Sequence, residues 1–82
     1  MVDKKLSTIA FGKVLRELRV ERGLTQDQLA ECAQIERSHI SALERGEKGP
    51  SLATIFCLAD ALGVSVGGVL ELVDKKLRTL RC

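Results

Sequence analysis

Residues 25 to 46 limit the fold of this 82-residue chain more than any other stretch, because they predict two short helices joined by a very short turn. Thr25 is a residue type that caps helix starts, and Gln28 stands three positions later, where its side chain can return the capping bond. This pattern predicts a helix from Gln26 to about Ala33. A second helix is predicted from about Glu36 to Arg45.

The connection between these helices consists of Gln34 and Ile35 alone, and Gly46 is placed to end the second helix in a left-handed conformation. So short a connection makes the helices cross steeply and pushes the second one outward, which is the arrangement that enters a major groove of duplex DNA. The apolar residues that should face inward are Leu29, Ala30, Ala33, Ile40 and Leu43.

The flanking segments predict three further helices and no strand. The first begins at Ser7 or Thr8 and ends at Gly23, and the fourth runs from a cap at Ser51 to Gly63. Their buried stripes are expected to comprise Phe11, Val14, Leu15 and Leu18 in the first, and Leu52, Ile55, Ala59 and Leu62, broadened by Phe56 and Leu58, in the fourth. We therefore expect the 82 residues to form a single all-α domain of five helices.

The fifth helix, capped by Ser65 and expected over about residues 65–80, has an apolar stripe too long for one small core to cover. The stripe comprises Val66, Val69, Leu70, Val73, Leu77 and Leu80. We expect it to form the interface of a homodimer, in which the same patch of both subunits packs together. The alternative is that the core of the chain itself absorbs the whole stripe.

Charge is distributed unevenly along the chain, whose formal net charge is +2. Residues 1–24 have six Lys or Arg against three Asp or Glu, whereas residues 25–50 have three against five. The predicted DNA-reading unit is therefore acidic, and it requires its carboxylates to point away from phosphate while neighbouring basic residues complete the contact. The carboxylates concerned are Asp27, Glu31, Glu44 and Glu47.

The sequence favours neither a cofactor, a catalytic centre nor a membrane segment. Cys32, Cys57 and Cys82 are widely spaced beside a single His, so no metal site or disulfide framework is indicated, and reduced, non-functional thiols are favoured over a redox sensor. His39 has no nucleophile or second His to work with. Because the sequence has neither a signal-peptide pattern nor a membrane span, we expect a cytoplasmic protein. No small-molecule ligand is expected.

These residues resemble the Cro/repressor type of helix-turn-helix regulator, the Xre-like family of bacteria and phages. The resemblance covers about residues 9–73 and implies a lambda-repressor-like fold that binds double-stranded DNA as a homodimer on a pseudo-palindromic operator. Small size and an apolar last helix look most like its stand-alone members, among them phage repressors and restriction–modification controller proteins. The matching residues are Leu18-Arg19, Gly23-Leu24-Thr25-Gln26, Leu29-Ala30, Ser38, Ile40, Ser41, Leu43-Glu44-Arg45-Gly46, Pro50-Ser51-Leu52 and Ala61-Leu62-Gly63-Val64.

The resemblance also implies roles for individual residues. Gln26 is expected to bind a backbone phosphate, and Arg37 is expected to read guanine through its O6 and N7 atoms, with a phosphate contact as the alternative. Arg19 and Glu44 match an ion pair that ties the first helix to the third. The other residues expected to face the groove or its walls are Glu36, Ser38, His39, Ser41, Ala42 and Arg45.

Two residues depart from the family pattern. Gln34 stands where Gly is frequent, so a residue with a side chain would have to adopt a positive φ. Glu36 replaces the more usual cap, and its carboxylate either accepts from a cytosine N4 or excludes some sequences by repulsion.

Two other classes of function are compatible with parts of this pattern. An antitoxin or other protein-interaction module uses the same fold but usually needs a separate partner-binding segment, and only residues 1–7 and 74–82 lie outside the expected fold. An enzyme needs paired carboxylates, a Gly-rich phosphate loop or a nucleophile with its base, and the sequence has none of these. A transcriptional regulator is therefore favoured, with its operator, target genes and sign of regulation open.

Overall fold

All regular structure in residues 2–81, the range that the computed structural model describes, is α-helical. The five helices are α1 (Lys4–Glu21), α2 (Gln26–Ala33), α3 (Arg37–Glu44), α4 (Leu52–Leu62) and α5 (Val66–Arg81). The predicted all-α class of five helices is confirmed. Cys82, one of the three cysteines considered above, lies outside the described residues.

Helix α1 begins earlier than the predicted start at Ser7 or Thr8. The reason is Asp3, whose Oδ1 atom accepts from the backbone N–H groups of Lys5 at 2.9 Å and Leu6 at 3.2 Å and so caps the helix. The hydroxyls of Ser7 and Thr8 instead donate back to a carbonyl of the first turn. The helix therefore begins at the upstream Asp3 cap and not at Ser7 or Thr8.

The structure contains three of the helix caps predicted from the sequence. Thr25 Oγ1 accepts from the N–H of Gln28 at 3.0 Å, and Gln28 Oε1 accepts from the N–H of Thr25 at 2.8 Å, which completes the capping box of α2. Ser51 and Ser65 cap α4 and α5 with their hydroxyl oxygens. Helix α3 differs, since Glu36 precedes it in an extended conformation and its side chain makes no capping bond.

Each of the first four helices ends in the same kind of turn. The residue that follows the left-handed one donates its N–H to a carbonyl five residues earlier, at 3.0–3.1 Å. Gln34 holds this conformation between α2 and α3 with φ 56°, at a cost of about 1 kcal/mol for a residue with a Cβ. The left-handed residues are Gly23, Gln34, Gly46 and Gly63.

Helix α1 lies at the centre of the packing, against both α3 and α5. Gly12 allows the close approach to α3, because a Cβ there would overlap the carbonyl oxygen of Leu43 and lie 2.9 Å from that of Glu44. The buried core comprises Phe11, Val14, Leu15, Leu18, Leu29, Ala30, Ala33, Ile40, Leu43, Leu58, Ala59, Leu62 and Val69. All five helices therefore contribute to one core.

The buried face of α4 matches the prediction at Leu58, Ala59 and Leu62 and differs from it nearer the start of the helix. Leu52 and Phe56 were expected in its inner stripe, but they are 68% and 56% exposed. Thr54 is buried near the start of the helix, and Ile55 packs only partly against the core. Apolar residues cover most of this helix, so the sequence pattern alone did not distinguish its buried side from its exposed side. The fully buried apolar residues of α4 are Leu58, Ala59 and Leu62.

Helix α5 divides its apolar stripe between the core and the surface. Val69 is 4% exposed and belongs to the core, so almost none of its surface is left for the dimer contact predicted for it. Val66 and Val73 are partly buried against the same core, and Leu77 is half-buried. Leu70 is 43% exposed. Only part of the stripe is absorbed by the chain itself.

Among residues 2–81, a single helix with the length and apolar character needed to cross a membrane is not found. Helices α4 and α5 pass that test only when taken together, and they meet at a bend of 105°.

Candidate nucleic-acid interface

Helix α3 presents most of its side chains outward. Its two buried residues, Ile40 and Leu43, are fully enclosed and fix which side faces the core. The predicted contact residues occupy the rest of the helix and its two ends. Glu36, Arg37, Ser38 and Arg45 are exposed, whereas His39, Ser41 and Ala42 are half-buried. The structure therefore brings all seven to one surface of the α2–α3 unit.

A buried polar network holds α3 against α1 and α2. Arg19 Nε donates to Glu44 Oε2 at 2.7 Å and Arg19 Nη2 donates to Oε1 at 3.1 Å, so the ion pair expected from the family resemblance is present and bidentate. Arg19 Nη1 donates to the carbonyl oxygen of Leu24 at 2.8 Å. The side chain of Glu44 is only 4% exposed, and its hydrogen bond raises the pKa of Arg19 above the ordinary value. This network therefore fixes the orientation of α3 through charged hydrogen bonds.

Gln26 belongs to the same network, which the sequence had not indicated. Its Nε2 atom donates to Glu44 Oε1 at 3.0 Å, and the side chain is half-buried. One N–H of the Gln26 amide group remains for another acceptor, such as a phosphate oxygen. Glu44 thus places the predicted phosphate-binding group as well as the reading helix.

Two exposed arginines of the surface are paired with carboxylates. Arg37 Nε lies 3.3 Å from Asp27 Oδ1, and Arg45 Nε donates to Glu47 Oε2 at 2.8 Å. The hydrogen bond and charge of Arg45 lower the pKa of Glu47, and Glu47 raises that of Arg45. Including Glu44, three of the four carboxylates that were expected to point away from phosphate are paired with arginine. Pairing with arginine therefore offsets the charge of these three carboxylates.

A shallow depression runs along the outer side of α3 between Arg37, Ser38, Ser41 and Arg45. Its lining offers guanidinium and hydroxyl donors, which are the groups that bind base edges and phosphates. A second depression at the start of α3 includes His39, Ala42 and Lys48. Lys48 was not named among the predicted contact residues, although its positive charge and its position in the loop after α3 were signals that could have identified it.

Side chains suited to other chemistry are dispersed. In residues 2–81, no group of three or more His, Cys, Asp or Glu side chains lies close enough together to hold a metal ion. Cys32 and Cys57 are free, exposed thiols on different helices.

Comparison with known proteins matches residues 15–69 to the family model described as helix-turn-helix. The immunity repressor protein of Bacillus phage phi105 is 42% identical over 62 residues, which are 76% of this chain and 43% of the phage protein. The chain thus spans less than half the length of that relative.

Solved structures of restriction–modification controller proteins are similar to this fold. C.AhdI from Aeromonas hydrophila has a TM-score of 0.74 and 39% identity, covering 76% of this chain and 94% of its own. C.Esp1396I, solved as a tetramer in complex with its natural 35 base-pair operator, has a TM-score of 0.76 and 28% identity, covering 93% of this chain and 97% of its own.

Proposed function

This chain belongs to the helix-turn-helix family, and on that premise we propose that it is a sequence-specific regulator of transcription that binds double-stranded DNA. The observation that carries the proposal is the outward surface of α3, with its arginines and hydroxyls, held in place by the Arg19–Glu44–Gln26 network. The solved operator complex of C.Esp1396I supports the proposal by its similarity over nearly the whole chain.

Within this proposal, Arg37 reads a base in the major groove and Gln26 binds a phosphate through its remaining N–H. Ser38, Ser41 and Arg45 supply further donors to base edges or phosphates, and the methyl group of Ala42 contacts a thymine methyl. Glu36 and His39 lie at the rim of the same surface and contribute to discrimination.

We also propose that the protein binds a pseudo-palindromic operator as a homodimer. Leu70 on α5 and both Leu52 and Phe56 on α4 are exposed, although large apolar side chains are more often buried. In the proposed dimer a two-fold partner covers them, and operator binding requires that the two copies of α3 lie about 34 Å apart, one turn of B-DNA. The proposal describes a binding protein, and not an enzyme, that acts in the cytoplasm, with residues 1–82 forming one domain.

Selection of bound sequences from random duplex DNA by the purified full chain tests the proposal. We expect enrichment of a two-fold symmetric site whose half-sites are about ten base pairs apart, because each dimer places two reading helices on one side of the duplex. The same selection with the Arg37→Ala variant should lose preference at one position of each half-site. If the wild-type protein enriches no sequence, the regulator proposal is wrong and a protein-interaction module such as an antitoxin gains support.

A further inference from the structure

Arg45 is the most restrained of the exposed arginines on the candidate interface. Its Nε and Nη2 atoms donate to the two carboxylate oxygens of Glu47 at 2.8 and 3.1 Å, and its Nη1 atom donates to Ser41 Oγ. Arg37, in contrast, has one contact at 3.3 Å to Asp27. Three nitrogens held by two partners give the Arg45 guanidinium a defined direction, whereas a single contact leaves Arg37 free to rotate.

The position of Glu47 is itself fixed by the backbone. Gly46 adopts φ 73°, and the N–H of Glu47 then donates to the carbonyl of Ala42 at 3.0 Å, which closes the turn after α3. The carboxylate therefore starts from a backbone position tied to α3 itself. Both side chains of the pair are more than half exposed, and its bidentate geometry is what distinguishes it from surface ion pairs that contribute little.

The hydrogen bonds leave Arg45 able to donate outward. A guanidinium has five N–H groups, and the contacts to Glu47 and Ser41 use three of them. The two that remain are one on each terminal nitrogen. Two adjacent donors of this kind match the O6 and N7 atoms of guanine or two oxygens of one phosphate. Arg45 also borders the depression along α3, together with Arg37 and Ser38.

We propose that Glu47 is a specificity-determining positioning residue, which orients Arg45 for a bidentate contact and lowers the attraction of this surface for DNA of any sequence. The inference rests on the proposed function of DNA binding. On a cognate site the oriented guanidinium meets its acceptors. On other sequences it lacks them, while the carboxylate still repels nearby phosphates.

The variant Glu47→Gln, compared with the full-length wild-type protein, tests this role. Affinity is measured by fluorescence anisotropy for the operator obtained by selection and for a scrambled duplex of equal length. We expect the ratio of the two affinities to fall roughly threefold to tenfold, which is less than the loss of a complete bidentate base contact. Glu31→Gln is the matched control, because Glu31 is exposed, forms no ion pair within residues 2–81, and changes the charge equally.

The control should raise affinity for both duplexes by the same factor and leave the ratio unchanged. If Glu47→Gln behaves in the same way, the positioning role is overturned and only its charge matters. Combining Glu47→Gln with Arg45→Ala gives a second measurement: the ratio should equal that of Arg45→Ala alone, and any further fall would show that Glu47 does not act through Arg45. A wild-type protein that binds both duplexes equally would overturn the proposed function itself.

Discussion

At the scale of single residues, Glu44 is the side chain that joins the most parts of the interface. It accepts from Arg19 on α1 and from Gln26 on α2 while it lies at the end of α3. Because the pair is almost fully buried, Glu44→Ala should lower the free energy of unfolding by about 3 kcal/mol, leaving the Arg19 charge without its partner. Combined with Arg19→Ala, the loss should be smaller than the sum of the single losses by roughly 1–3 kcal/mol. Urea unfolding of the wild type, the two single variants and the double variant measures this coupling. If the losses of unfolding free energy are additive within about 0.5 kcal/mol, the two side chains do not interact.

Arg37 and Gln26 should differ in what their removal does to DNA binding. The pair of Arg37 with Asp27 is exposed on both sides and contributes little to folding, so Arg37→Ala acts mainly on binding. We expect it to cost roughly 1–3 kcal/mol on the cognate site and to relax preference at one base pair of each half-site. Gln26→Ala should weaken binding to all sequences with their order unchanged. Competition assays with single-base operator variants distinguish these outcomes. If Arg37→Ala weakens binding to all variants equally, Arg37 contacts a phosphate and not a base.

At the scale of elements, the crossing of α1 and α3 depends on Gly12. A Cβ at this position would overlap the backbone of α3, so Gly12→Ala should force the helices apart and lower the free energy of unfolding by about 1–3 kcal/mol, as overpacking does. Gly67→Ala is the control within α5, where a Cβ meets nothing within 4 Å and the helix should gain about 0.5–1 kcal/mol. Thermal unfolding followed by circular dichroism measures both. Equal stability of Gly12→Ala and wild type would mean that the crossing adjusts without cost.

Elements with local signals could be predicted from the sequence, and those that depend on distant contacts could not. Thr25, Gln28 and Gly46 act on their own helix ends, and the structure has them in the expected roles. The need for Gly12 arises only from the approach of α3, and the pairing of Gln26 with Glu44 joins residues far apart in sequence. Patterns of apolar residues have a similar limit, because they do not separate a core side chain from an apolar side chain left on the surface.

At the scale of the whole molecule, the expected dimer interface depends on which apolar side chains of α4 and α5 are left outside the core. Val69 is part of the core, so a charge there should unfold the chain and reveal nothing about association. The apolar side chains that remain exposed on the last two helices include Phe56 and Leu70. The proposed DNA-reading surface on α3 would require a second copy of the chain to contact two half-sites. The interface expected from the stripe of α5 alone therefore shifts to the exposed surfaces of α4 and α5.

The variants Phe56→Asp and Leu70→Asp, alone and combined, test this arrangement. Each adds a charge to an exposed position, so the chains should remain folded by circular dichroism while sedimentation equilibrium shows monomers. Operator affinity should fall roughly a hundredfold or more, because a monomer loses the intramolecular binding of its second half-site. Val2→Asp is the control, since Val2 is an exposed apolar residue that precedes α1 and belongs to neither α4 nor α5, and this variant should remain dimeric. A combined variant that is still dimeric at micromolar concentration would place the interface on another surface of the molecule.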